Sequence, residues 1–168
     1  MSDSFVPKDY EVTTAGSNFL KLAQGDNKFR ILSDALIGKV GWKDNKPFRR
    51  AGADAHIDES EVDVNDKGKA KINDFMAFYV YSYDKDKVMI AEFTQAGIKK
   101  ELVKYSQDAD WGHPKNYDIT VSREGEGLKT KYGFKATPPK ALTKAVQEIV
   151  DEATPTFNLN EALGIETA

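Results

Sequence analysis

The chain has 168 residues, is 40% hydrophobic and 30% charged, and carries a formal net charge of -3. That length suits one domain with a sizeable core and leaves little for a second. With no cysteine, disulfides, thiolate metal sites and a cysteine nucleophile are excluded, and no apolar run approaches the ~18 residues a membrane-spanning helix needs.

The net charge hides a pattern. Residues 19–50 hold eight Lys and Arg against three acidic residues, residues 51–74 three Lys against seven acidic residues, and residues 136–168 two Lys against five. A basic segment between acidic ones can build a positive groove on an acidic protein. The first twelve residues show no basic stretch followed by an apolar one, so no secretory leader is expected and the expected location is cytoplasmic. His56 and His113 lie far apart in loop-like contexts, and a zinc site would have to recruit carboxylates; no metal or cofactor is expected.

Residues 1–18 read as a loose lead-in. A turn at QGDN then feeds a short alternating strand in which Phe29 and Ile31 face one way and Lys28 and Arg30 the other. IGKVGW continues that strand after a bend at residues 34–36. Pro47 in KPFRR cannot donate to a ladder, so this stretch is an edge strand or a loop. Residues 51–74 are rich in charge and poor in hydrophobes and read as an inserted loop free to move. FMAFYVYSYDKDKVMIAEF, residues 75–93, reads as a hairpin turning at Asp84-Lys85-Asp86.

Residues 94–107 change period, with Ile98, Leu102 and Tyr105 at helical spacing. DADWGHPKN is a loop. YDITVSR alternates, GEG turns the chain, and LKTKYGFKA alternates again with Leu128, Thr130, Tyr132 and Phe134 on one side. Thr137-Pro138 has the form of a helix start, Leu142, Val146, Ile149 and Val150 form the stripe of that helix, and Pro155 ends it. NLNEALG is a last turn of helix capped by asparagine. The fold class is mainly β with helices. The element order is that of an OB-fold, a five-stranded Greek-key β-barrel, although other barrels and α+β folds use the same elements. The expected division is a lead-in at 1–18, a barrel core at 19–136 carrying the insertion 51–74, and a C-terminal helical segment at 137–168 packed on or extending from the barrel.

The first arm of the hairpin is apolar on one face and aromatic on the other. Phe75, Tyr79, Tyr81 and Tyr83 share the second face. Aromatic rings stack on bases and cations hold phosphates, so these four rings together with Lys28, Arg30, Arg49, Arg50 and Lys87 form a candidate interface for single-stranded nucleic acid. The same row fits a second core under the terminal helix, and at least one of the four is expected to be structural. Lys46, Phe48, Arg49 and Arg50 form a compact basic cluster around a ring, which fits a phosphate clamp or a charged edge strand. Trp111 is expected to pin its loop, and Trp42 is a further candidate stacker. Asp84, Asp86 and Glu92 permit a metal-dependent nuclease reading, but no phosphate-binding loop, nucleophile elbow or zincin helix is present.

In their order, KL-x-x-G-x-N-x-x-R-I-L, K-P-x-R-R, the aromatic strand and D-W-G-x-P-x-x-Y-D-I resemble the phage-type single-stranded DNA-binding proteins over roughly residues 19–134. The resemblance implies an OB-fold that coats single-stranded DNA in replication or recombination in a bacterial host, without sequence preference or catalysis. It carries over Lys28, Arg30, Lys46, Arg49, Arg50, Tyr79 and Tyr81. The expected partners are single-stranded DNA, with RNA left open because stacking is blind to the sugar, and replication or recombination proteins. The absence of cysteine removes the zinc insertion of some relatives, and the mildly acidic NEALGIETA departs from the strongly acidic tail of many. The alternative function is a protein-interaction module that uses the aromatic face.

Overall fold

The computed structural model describes residues 19–165; the lead-in at 1–18 lies outside them. Seven strands and three helices follow in chain order. The strands are β1 (Gly25–Ile31), β2 (Leu36–Lys43), β3 (Lys46–Ala51), β4 (Ile72–Ser82), β5 (Lys87–Phe93), β6 (Asp118–Glu124) and β7 (Lys131–Ala136). The helices are α1 (Ala96–Ser106), α2 (Lys144–Ala153) and α3 (Leu159–Ala162). All the ladders between these strands are antiparallel.

One edge of β4 pairs with both β2 and β1, and the other edge pairs with β5. β1 and β2 therefore act as one long strand, bent where Ser33 and Asp34 interrupt the ladder. β6 joins the far side of β1, and β7 joins β6. Among the described residues no ladder joins β5 to β7, so the sheet is not closed. The expected continuation of the first strand past a bend is what β1 and β2 form; the expectation of five strands leaves out β3, which is the paired edge strand that KPFRR permitted.

The chain fills the open seam by other means. Phe19 pairs in parallel with Ile90, and the Leu20 N–H donates to the Ile90 carbonyl at 2.8 Å. Leu20 and Leu22 pack on the inner core, and the Arg123 guanidinium donates to the Leu22 carbonyl at 2.9 Å. On the same side α1 buries Ile98 and Leu102. Asn27, only 5% exposed, fixes the stretch just before β1. Its side chain accepts from Ala23 N–H and donates to the carbonyls of Ala23, Gly25 and Val121. A buried amide so fully paired costs ~1–3 kcal/mol to disrupt.

The sheet has two buried faces. Inside lie Phe29, Ile31, Phe78, Val80, Met89, Phe93, Ile119 and Val121 with the α1 residues. Outside, Phe75, Ala77, Tyr79 and Ile90 pack beneath Leu163 and Ile165, with Phe157 and Leu159 beside them. The C-terminal segment thus turns the outer side of the hairpin into a second core.

Three expectations are corrected. The insertion is docked: Ile57 and Val62 are buried, Asp63 N–H donates to the Trp42 carbonyl, and Asp58 caps the 3₁₀ turn Glu59–Glu61 in a capping box. Leu128 points wholly into solvent, because Gly125 and Gly127 take positive φ and the resulting turn delays β7 until Lys131. Thr137-Pro138 starts no helix. Two successive prolines, Pro138 and Pro139, hold the residues before them extended. Thr137 and Lys140 donate their N–H groups to the carbonyls of Asp118 and Asn116. The helix begins instead after Thr143, whose hydroxyl accepts from Val146 N–H, and of its expected stripe only Val150 is fully buried.

Candidate nucleic-acid interface

Strand alternation places Phe75, Tyr79, Tyr81 and Tyr83 on the outer side of β4, as the sequence pattern requires, but most of the row is covered. Phe75 is 2% exposed beneath the C-terminal segment. Tyr79 stacks on Phe157 with ring centroids 3.9 Å apart and planes 5° from parallel. Its hydroxyl accepts from Asn158 N–H at 2.9 Å. Tyr81 is buried, and its hydroxyl donates to Asp86. Only Tyr83, just past the end of β4, keeps a half-exposed ring. The four-ring platform is therefore corrected to one ring: Phe75 and Tyr79 pack beneath the C-terminal segment, and Tyr81 is buried edge-on against Tyr83 with its hydroxyl on Asp86.

The cations separate as well. On β3, Arg49 and Arg50 point to opposite faces. Arg49 forms a bidentate pair with Glu92, at 2.5 and 3.0 Å, and Arg50 a bidentate pair with Glu61, both contacts 2.7 Å. The guanidinium beside Glu61 holds that carboxyl down at about 2. Phe48 lies half-buried under the Arg50 guanidinium, 5.5 Å from ring centroid to Cζ. Lys46 is exposed just after the Asp44-Asn45 turn, whose two positive φ angles give the tight hairpin the D-N pair encodes. The cluster is thus a charged edge rather than a clamp. Lys87 is exposed at the start of β5, bordering a groove of about 660 Å³ shared with Lys21 and Lys85.

Lys28 and Arg30 converge with residues the pattern did not single out. β1 lies between β4 and β6, so Tyr81, Arg30 and Asp118 align across three strands. The next row is Tyr83, Lys28, Thr120 and Lys135. Asp118 is 1% exposed. Its carboxylate accepts from the Arg30 Nε at 2.8 Å and from the Tyr83 hydroxyl at 2.7 Å. The ammoniums of Lys28 and Lys140 stand at 3.8 and 3.7 Å from its other oxygen. Burial and the facing carboxylate push the Tyr83 phenol well above its ordinary range.

Three cations thus share one carboxylate and leave a positive surplus. The Lys28 and Lys140 contacts are too long for hydrogen bonds, so both ammoniums keep their donors for another anion. Their side chains are 43% and 61% exposed. The Lys28 ammonium also lies 4.8 Å from the Tyr83 ring centroid. Arg30 is otherwise spent inside: Nη1 donates to the Lys115 carbonyl at 3.2 Å, and Nη2 is buried without a partner. The result is an outward polar face on β1, β6 and β7, bearing Lys28, Thr120, Lys135 and Lys140 beside one aromatic ring. Lys135, Lys140 and Asp118 were missed because only sheet register brings them to Lys28.

The carboxylates proposed for metal chemistry do not converge. Asp84 accepts from Lys28 N–H, Asp86 from the Tyr81 hydroxyl, and Glu92 holds Arg49. Among the described residues no three His, Asp or Glu side chains cluster as metal ligands do. His113 instead pairs with Asp34 at 2.6 Å. Trp111 packs edge-on against Tyr105 and Tyr117, pinning its loop as expected; Trp42 stays 37% exposed on β2. The chain matches no family model, no curated protein and no solved structure.

Proposed function

We propose that this protein binds single-stranded DNA without sequence preference and without catalysis, in replication or recombination of the phage type, through the outward face of β1, β6 and β7. The carrying observation is the positive surplus around Asp118: Lys28 and Lys140 share its carboxylate without a hydrogen bond to it, both ammoniums reach solvent, and Lys28 lies beside the Tyr83 ring. A flexible polynucleotide needs cations spaced along a surface and a ring on which a base can lie. That face offers both, and Thr120 between Lys28 and Lys135 adds a hydroxyl. We read the strand connections as an OB-type barrel with its β5–β7 seam left open. Each of its four other neighbouring pairs is antiparallel, and α1 sits between the third and fourth barrel strands, β5 and β6.

In this reading the interface shifts from the aromatic hairpin to the neighbouring cationic sheet, and the C-terminal segment is a structural cover over Tyr79. The test is a fluorescence titration with oligo-dT. Binding that saturates and weakens as salt rises supports the reading, with a competing oligo-U reporting sugar preference. Absence of binding at low salt overturns it.

A further inference from the structure

A second surface lies away from that cationic face. Between α1 and the bend joining β1 to β2, a cleft of about 310 Å³ opens over Ile31, Ala35, Met76, Phe78, Leu102 and Val103. Its lining is apolar apart from the edge residues Ser33, Ser106 and His113. The apolar surface continues outward: Val103 is 40% exposed, and Ile37, paired with Met76 across β2 and β4, is 41% exposed.

Val103 also belongs to a stripe of α1 with Ala96, Lys99, Lys100 and Lys104, exposed except for the half-buried Lys99; these residues share one helical face at three- and four-residue spacing. Lys99 donates to the Asp74 carbonyl at 3.1 Å. Lys100 and Lys104 are exposed, and no carboxylate lies within pairing distance of either among the described residues. An open apolar cleft therefore continues directly into two unpaired ammoniums.

We propose that this cleft and the lysine stripe of α1 form one docking site for a peptide segment of a partner protein, with an apolar anchor followed by acidic residues. The anchor fills the cleft, where a buried side chain supplies most of the binding energy, and the carboxylates meet Lys100 and Lys104, which adds orientation and association rate. A polynucleotide suits the site poorly. The cleft is lined by aliphatic and aromatic side chains with few polar groups to receive a phosphate backbone. Because the cleft opens from the inner layer of the sheet and the Lys28–Lys140 face is on its outer side, peptide and DNA are held together rather than in competition.

The experiment uses the full chain and three fluorescein-labelled peptides in anisotropy titrations. The probe is Asp-Glu-Leu-Phe-Glu-Asp-Gly; one control replaces Leu-Phe by Ser-Ser, the other replaces every acid by Lys. The expected result is that each control binds at least tenfold more weakly. Lys100→Glu with Lys104→Glu lowers probe affinity tenfold or more and raises that of the lysine peptide, while Val103→Asp abolishes probe binding. All three positions are exposed, so these variants stay folded, and circular dichroism checks this. Equal binding of the three peptides, or charge reversal without effect, overturns the proposal. So does sedimentation showing that the same variants dissolve a dimer, or oligo-dT displacing the probe, since the occupant is then a second copy or a polynucleotide. Loss of oligo-dT binding with the peptide result intact removes the proposed DNA function and leaves this site standing.

Discussion

Replacing Lys28, Lys135 and Lys140 together by alanine isolates the electrostatic part of the proposed DNA interface. None of the three holds the fold. Lys28 and Lys140 are 43% and 61% exposed, Lys135 is exposed, and Asp118 keeps its 2.8 Å pair with Arg30. Each phosphate contact on a single strand contributes about 0.7 to the slope of log K against log salt, so three contacts contribute about 2. Between 50 and 200 mM salt, the wild type should lose about 20-fold more affinity than the variant. The two lines should converge as salt approaches about 1 M, because counterion release then ceases to drive binding. Oligo-dT titrations at five salt concentrations measure both slope and intercept. A variant that still binds with the wild-type slope refutes the placement of phosphates on this face. Equal slopes with a lower affinity at every salt would show that the lysines act through packing.

Asp118→Asn should destabilise the fold by about 3–5 kcal/mol in urea melts, since it leaves the Arg30 guanidinium buried without its counter-charge; a second change, Arg30→Met, should restore much of that loss, and an additive double mutant would contradict the coupling. Phe157→Ala removes the ring stacked on Tyr79 and should cost about 1–2 kcal/mol, because Phe157 is half-buried; if Tyr79 instead serves DNA directly, the variant should bind oligo-dT more tightly. The Glu61 carboxyl should titrate near 2 by carbon NMR and return toward 4.5 in Arg50→Ala. A depressed carboxylate stabilises the fold above its unfolded pKa, so the insertion should hold to β3 at neutral pH and loosen as pH falls from about 4.5 toward 2. Tyr81, pushed up to about 12 by burial and by Asp86, contributes stability that is complete below 10 and is lost as pH rises from 10 to 12; ultraviolet titration of Tyr81→Phe against wild type reads it.

The motif residues behind the family resemblance take mainly structural places in this fold. Gly25 adopts a φ of 89° at the turn into β1. Asn27 ties Ala23, just before β1, to Val121 of β6, and Arg30 is buried on Asp118. In D-W-G-x-P-x-x-Y-D-I, Trp111 packs on Tyr117, and Asp118 anchors the polar face. A motif can therefore mark a position that organises an interface without touching its ligand.

By itself the sequence determined the local elements: the hairpin of β4 and β5, the 3.6-residue period of α1, the alternation of β1 and β6, and the last helical turn capped by Asn158. Side-chain periodicity and capping chemistry act within a few residues, so they can be read from a single chain. Tertiary structure alone decided which side of each strand meets water and which charges are spent. Tyr79 has the same alternation whether it faces DNA or Phe157, some eighty positions away. Arg49 and Arg50 look free until Glu92 and Glu61 are brought to them. Lys140 joins Lys28 only because β1 and β6 pair and the segment after β7 continues past the start of β6, beside Asn116 and Asp118. Burial and charge pairing depend on contacts between distant residues, and for these the sequence supplies the groups while the fold sets the distances.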